Sequence, residues 1–88
     1  MNYNILFSKQ AQKDMNKLCV SNLDSSVKVL LNKIAIDPFC YPPSYEKLIL
    51  KYKMYSRMIN RQHRLVYMIN EDKKEIYVIR MWTHYDKI

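Results

Sequence analysis

The sequence predicts an α+β domain: an N-terminal strand, a two-helix hairpin, and a mostly antiparallel, twisted sheet of four to five strands on which the helices pack. Three observations carry this. Apolar residues recur at helical spacing through residues 11–34, then give way to strand-like runs after a proline-bearing loop, Asp37–Ser44 (DPFCYPPS). The later runs are joined by short polar turns, which connect antiparallel neighbours and are too short for crossovers. Finally, 88 residues, 49% of them apolar, fill one hydrophobic core and leave no room for a second.

The elements follow in order. Tyr3–Phe7 (YNILF) is short, apolar and rich in strand formers. Ser8 then offers a hydroxyl to cap a helix in which Ala11, Met15 and Leu18 form the apolar face, with Lys9, Lys13, Asp14 and Lys17 between them. Val20–Asn22 breaks this helix. A second starts near Ser21 or Asn22, with Asp24 in its first turn, where negative charge suits the helix dipole. Val27, Leu30, Leu31 and Ile34 make its apolar stripe, and Pro38 stops it. Strands are expected at Glu46–Leu50, Met54–Ile59, His63–Ile69 and Glu75–Trp82, with polar turns at Asn60–Arg61 and Asn70–Lys73. Tyr77, Ile79, Val66, Val78 and the aliphatic residues of both helices are expected in the core. Trp82 is expected to pack at the core or its rim.

Composition narrows the function. The chain has no glycine, so turns fall to Asn, Asp, Ser, Pro or Lys, and no glycine-rich phosphate loop can form. Its net charge is +7. Between Glu46 and Arg64 lie Lys47, Lys51, Lys53, Arg57 and Arg61, interleaved with Tyr45, Tyr52 and Tyr55. Such a patch suits a polyanion with bases to stack on, or else solubilises a basic face. Cys19 and Cys40 are isolated in sequence, which fits two buried thiols in a reducing compartment. With His63 and His84 they could supply four zinc ligands, but structural zinc ligands come in close pairs and these are scattered singly. No metal or cofactor is expected. No signal-peptide pattern or membrane-length apolar run is present, so a cytoplasmic location without membrane contact is expected.

Two segments carry a resemblance. Tyr55–Tyr67 (YSRMINRQHRLVY), followed by Met81–Tyr85 (MWTHY), resembles the Ser-Arg-Arg-Ile, His-Arg-Leu-Val-Tyr and terminal His-Tyr pattern of the YoeB (Txe) toxins in the RelE superfamily. The resemblance implies a single toxin domain over 1–88 with the RelE-like fold. It further implies a messenger-RNA interferase that acts on the ribosome and is restrained by a cognate acidic antitoxin, with a homodimer as a further possibility. In that family a glutamate takes the proton of the ribose 2′-OH, an arginine steadies the phosphate and a histidine protonates the leaving 5′-oxygen, without a metal. Carried onto this chain, these roles fall to Glu46, Arg64 and His84, with Tyr85 orienting the acid or the phosphate. Glu46 could instead be a surface partner of Lys47 or Lys51, and Arg64 could be its salt-bridge partner. Lys47, Lys51, Lys53, Arg57 and Arg61 are the candidate rRNA and mRNA contacts. His63 is assigned to packing or a backbone hydrogen bond.

The pattern departs from the family in three places. Met58 replaces the second arginine, Lys53 replaces a glycine, and the stretch from Glu46 to Ser56 is one residue shorter. Two other classes stay open: a ParE-like toxin that inhibits gyrase, and an inactive relative that binds an antitoxin or RNA.

Overall fold

A computed structural model describes residues 2–41, 45–49, 53–60 and 63–83, with only the backbone at 48, 49, 53 and 83. Strand β1 (Asn4–Phe7) runs directly into helix α1 (Lys9–Val20) through Ser8. The Ser8 hydroxyl accepts from the Ala11 N–H at 2.9 Å and donates to the Ile79 carbonyl at 2.8 Å. One side chain therefore caps the helix and ties its start to the sheet.

Asn22, at φ 60°, makes the turn after α1, and Lys74, at φ 54°, makes a later one. Both lie in the left-handed region that glycine usually fills, which Asn tolerates better than most residues. Helix α2 spans Asp24–Ile36, and its N-cap is Leu23 without a side-chain cap. The helix therefore begins a few residues later than the start expected near Ser21 or Asn22, because those two form the turn. Asp24 does occupy the first turn and pairs with Lys28 at 3.7 Å. At the far end Asp37 is extended, as the residue before a proline must be, and the helix stops.

Strands β2 (Tyr45–Ile49), β3 (Lys53–Met58), β4 (Arg64–Asn70) and β5 (Glu75–Thr83) complete a five-stranded sheet of order β1-β5-β4-β3-β2. Three of its pairings are antiparallel, and β1 lies parallel to β5. Both helices cover one face. There Ala11, Leu18, Val27, Leu30, Leu31 and Ile34 meet Leu65, Tyr67, Ile76, Val78 and Met81 in one core. The opposite face carries a smaller cluster, buried Met54 and Val66 with partly buried Met68 and Ile79.

Several burial assignments are corrected, one on the sheet and the others on the helices. Ile76 and Val78 take the covered face, so Tyr77 must take the other, and it is 43% exposed. Val20, Val29 and Ile36 are exposed on the helices, outside the core stripe. Asp14, read with the polar side of α1, is completely buried. It falls three residues after Ala11 and four before Leu18, which puts it on the buried face. Its carboxylate accepts from the Met81 N–H (2.9 Å), Arg80 Nε (3.3 Å) and Gln10 Nε2 (3.0 Å), joining α1 to β5.

The β4–β5 ladder is irregular where it matters most. Tyr67 opposes Val78, and an unbroken register from there would put Met81 opposite Arg64. Two register shifts instead place Thr83 opposite Arg64. Such irregularities re-aim side chains, and here they turn Met81 into the core under the helices while carrying the end of β5 alongside Arg64.

Candidate active site

Glu46, on edge strand β2, stands opposite Ser56 of β3, which in turn stands opposite Val66 of β4. Val66 belongs to the cluster on the face away from the helices. Paired residues share a face, so Glu46, Ser56 and Val66 point to the open side. Arg64 lies two residues before Val66 and therefore shares that side, on the middle strand of the sheet. Sheet spacings put the Glu46 and Arg64 Cα atoms about 12 Å apart. Two long side chains at that separation can reach the same phosphodiester from opposite directions. Glu46 is exposed and Arg64 half-buried.

Thr83 flanks Arg64 across the ladder, and the next residue in sequence is His84. His84 and Tyr85 lie outside the described residues, as do Lys51 and Arg61; of Lys53 only the backbone, in β3, is described. Lys47 is exposed on β2 but pairs with Tyr55, so its side chain leaves the strand on the face opposite to Glu46. Met58, where the family pattern has a second arginine, is 55% exposed and directly opposite Arg64. That departure therefore falls inside the candidate site and leaves it with one positive charge fewer.

Arg57 corrects the list of RNA contacts. Its side chain is fully buried on the helix-covered side of β3. Nε donates to the Tyr67 hydroxyl at 2.8 Å, Nη2 donates to the Pro38 carbonyl at 3.0 Å, and the guanidinium lies 4.7 Å from the centre of the Tyr45 ring. A phosphate cannot reach a cation so enclosed. Arg57 instead joins β3, β4, the start of β2 and the loop after α2, and so holds the strand that carries Glu46. Burial pushes the Tyr67 hydroxyl above the usual tyrosine pKa, an effect the hydrogen bond from Arg57 and its charge oppose.

The histidine reading holds where it is described. His63 is 5% exposed, its Nδ1 lies 2.6 Å from the Trp82 carbonyl, and its ring stacks on the Trp82 ring at 4.0 Å. Trp82 is partly buried against the main core. The thiols differ from expectation: Cys19 is exposed and Cys40 is half-buried. Both sit near chain reversals outside the apolar stripes. Among the described residues no three His, Cys, Asp or Glu side chains gather as a metal site, and no helix is long and apolar enough to cross a membrane.

A groove of about 490 Å³ lies elsewhere on the open face. Leu6, Met68 and Tyr77 floor it, and Glu71, Asp72 and Glu75 rim it. It contains no candidate catalytic residue. The register, which gathers Glu46 and Arg64 with the end of β5, is the better guide to the site.

Comparison with known families shows which family the chain belongs to. The family model for the YoeB-like toxin of bacterial type II toxin–antitoxin systems matches residues 7–85. The chain belongs to this family. Among solved structures, the YoeB–YefM complex from Staphylococcus aureus shares 30% identity and a TM-score of 0.79, covering 97% of this chain and 100% of that one. A YoeB dimer from the same organism shares 29% identity and a TM-score of 0.81 over the same fractions. The YoeB/ParE toxin from Agrobacterium tumefaciens, at 20% identity and a TM-score of 0.83 over 93% and 99% of the two chains, is alike in fold. A comparison with curated proteins gives no match. The YoeB fold, with two helices on a mixed sheet, is thus what the order of elements in the sequence led one to expect.

Proposed function

We propose that this YoeB-family toxin is a ribosome-dependent endoribonuclease that cleaves mRNA by acid–base chemistry. The observation that carries the reading is the shared open face of Glu46 and Arg64, with Thr83, the residue before His84, opposite Arg64. Glu46 takes the proton of the ribose 2′-OH, and the freed oxygen attacks phosphorus. As the O2′–P bond forms, the P–O5′ bond breaks, and His84 gives its proton to the leaving 5′-oxygen. Tyr85 orients that acid or the phosphate. Arg64 donates two parallel hydrogen bonds to the phosphate oxygens as negative charge builds there. The products are a 2′,3′-cyclic phosphate, or the 3′-phosphate it opens to, and a 5′-OH. The nucleophile is already part of the substrate, so positioning supplies much of the rate and no metal is required.

Lys47, Lys51, Lys53 and Arg61 are proposed to hold rRNA or mRNA phosphates, and the net charge of +7 favours that encounter. Arg57 is excluded from that set by its burial. One relative is solved with YefM and another as a dimer, which supports two partners for this chain: a cognate acidic antitoxin over the basic strands, and a second copy of the toxin.

The test is single-turnover cleavage on programmed ribosomes. Cleavage should leave a 5′-OH on the downstream fragment and a 2′,3′-cyclic phosphate or 3′-phosphate on the upstream one. Glu46→Gln and His84→Gln should each slow cleavage by about 10²–10⁴, the usual worth of a positioned acid or base, with ribosome affinity nearly intact. A 5′-phosphate end, or an undiminished rate in Glu46→Gln, would refute the mechanism.

A further inference from the structure

Ser56 is 1% exposed, and its Oγ has no hydrogen-bond partner among the described residues. A buried hydroxyl left in that state costs about 1–3 kcal/mol, and folded proteins rarely keep one without a use. Its position indicates the use. Glu46 stands directly opposite on β2, Val66 directly opposite on β4, and Arg64 on the diagonal beyond Val66. The Val66 side chain has no polar atom, and a guanidinium can only donate. Of these three neighbours, the Glu46 carboxylate alone can accept. Residues directly opposed in an antiparallel pair have Cβ atoms about 4.5–5.5 Å apart, so a rotamer change in Glu46 brings a carboxylate oxygen to the hydroxyl.

We propose that Ser56 is a positioning residue for the general base: its hydroxyl donates to one carboxylate oxygen of Glu46 when substrate is engaged, leaving the other oxygen to face the 2′-OH. The inference rests on the reading of Glu46 as the base. In the free protein Glu46 is solvent-exposed, and its charge keeps its hydration. When RNA closes over the open face, water leaves, and the bond from Ser56 replaces part of that hydration at a fixed angle. Ser56 is too deeply buried to touch the RNA itself, so its effect passes through Glu46.

The experiment compares Ser56→Ala, Glu46→Ala and the double variant in the full chain, measuring single-turnover cleavage on programmed ribosomes and thermal unfolding. Ser56→Ala should slow the cleavage step about tenfold or more, the worth of one hydrogen bond to a charged group, at an unchanged half-saturating ribosome concentration. Its unfolding midpoint should stay level or rise, because an unpaired buried oxygen has been removed. Adding Ser56→Ala to Glu46→Ala should leave the residual rate unchanged, as two groups acting through one path require. A full rate in Ser56→Ala overturns the proposal. So does a lowered midpoint, which would mean that the hydroxyl had a structural partner. A higher half-saturating concentration at an unchanged rate also overturns it, by making Ser56 a substrate contact. If Glu46→Ala itself keeps its full rate, the general-base reading is what fails, and that result is distinguishable from the others.

Discussion

Asp14 and Arg57 are both completely buried, and the partners described for them differ in kind. Asp14 meets a charge: Arg80, whose side chain is 26% exposed, approaches its carboxylate at 3.3 Å, and the Met81 N–H adds a bond at 2.9 Å. The described partners of Arg57 are neutral, namely a tyrosine hydroxyl, a proline carbonyl and the face of an aromatic ring. The two ions also serve different ends of the candidate site. Asp14 fixes β5 at its irregular stretch, shortly before His84 in sequence. Arg57 fixes the first residue of β2, next to Glu46. A carboxylate that accepts from a backbone N–H cannot be replaced by an apolar group without orphaning that N–H. The neutral acceptors described around Arg57 can instead bond to each other once it is replaced.

The largest effect should come from truncating Arg57. Arg57→Ala removes a large buried side chain and the donor to both Tyr67 and Pro38. A loss of about 3–5 kcal/mol is expected from cavity and unpaired acceptors together, read by urea unfolding. Arg57→Met keeps most of the volume. The Tyr67 hydroxyl already lies 3.5 Å from the Pro38 carbonyl and can bond to it, so this variant should recover most of the loss. Equal losses in the two variants would show that the charge matters more than the volume.

Asp14 should show the reverse preference, with a smaller total. Asp14→Asn keeps an acceptor for the Met81 N–H and should cost about 1–2 kcal/mol, while Asp14→Leu leaves that N–H unpaired and should cost more despite its apolar character. The same unfolding measurement decides it. If Asp14→Leu proved as stable as Asp14→Asn, the contrast between the two buried ions would collapse.

These residues also mark where the sequence could be read and where it could not. The order and type of every element were legible, because helical spacing and strand alternation survive in this chain with little interruption. Glu46 and Arg64 were legible through the family pattern, and register places both on one face. Arg57 was misread because a charge count along the chain cannot say which side of a strand a residue takes. Tyr55, Arg57 and Ile59 share one face, and Met54, Ser56 and Met58 the other, so neither set looks more apolar than its rival. Tyr77 was misread for a related reason: Ile76–Ile79 is apolar throughout, which hides the alternation. Asp14 did leave a signal, its spacing from Ala11 and Leu18, but its partners come from β5, far away in sequence. Ser56 left none, since a missing partner is visible only in three dimensions.

The smallest predicted effect concerns the proton on Tyr67. Burial holds its pKa above the ordinary tyrosine value, while the hydrogen bond and charge of Arg57 pull the other way. At pH values below about 10 the hydroxyl is protonated in both folded and unfolded chains, and its contribution to stability is fully present. Above that the unfolded chain ionises first, so stability falls as pH rises toward the folded-state pKa. Tyr67→Phe is less stable at neutral pH, because Arg57 Nε loses its acceptor, but this part of the alkaline slope should vanish from it. Arg57→Met removes the pull that lowers the pKa, so its slope should extend to higher pH than that of the parent. Urea unfolding between about pH 9 and pH 11 compares the three chains, with the other tyrosines and the lysines as a shared background. Parallel slopes in the parent and Tyr67→Phe would mean that the folded chain yields this proton as readily as the unfolded one. In that case Arg57, not burial, would govern the hydroxyl.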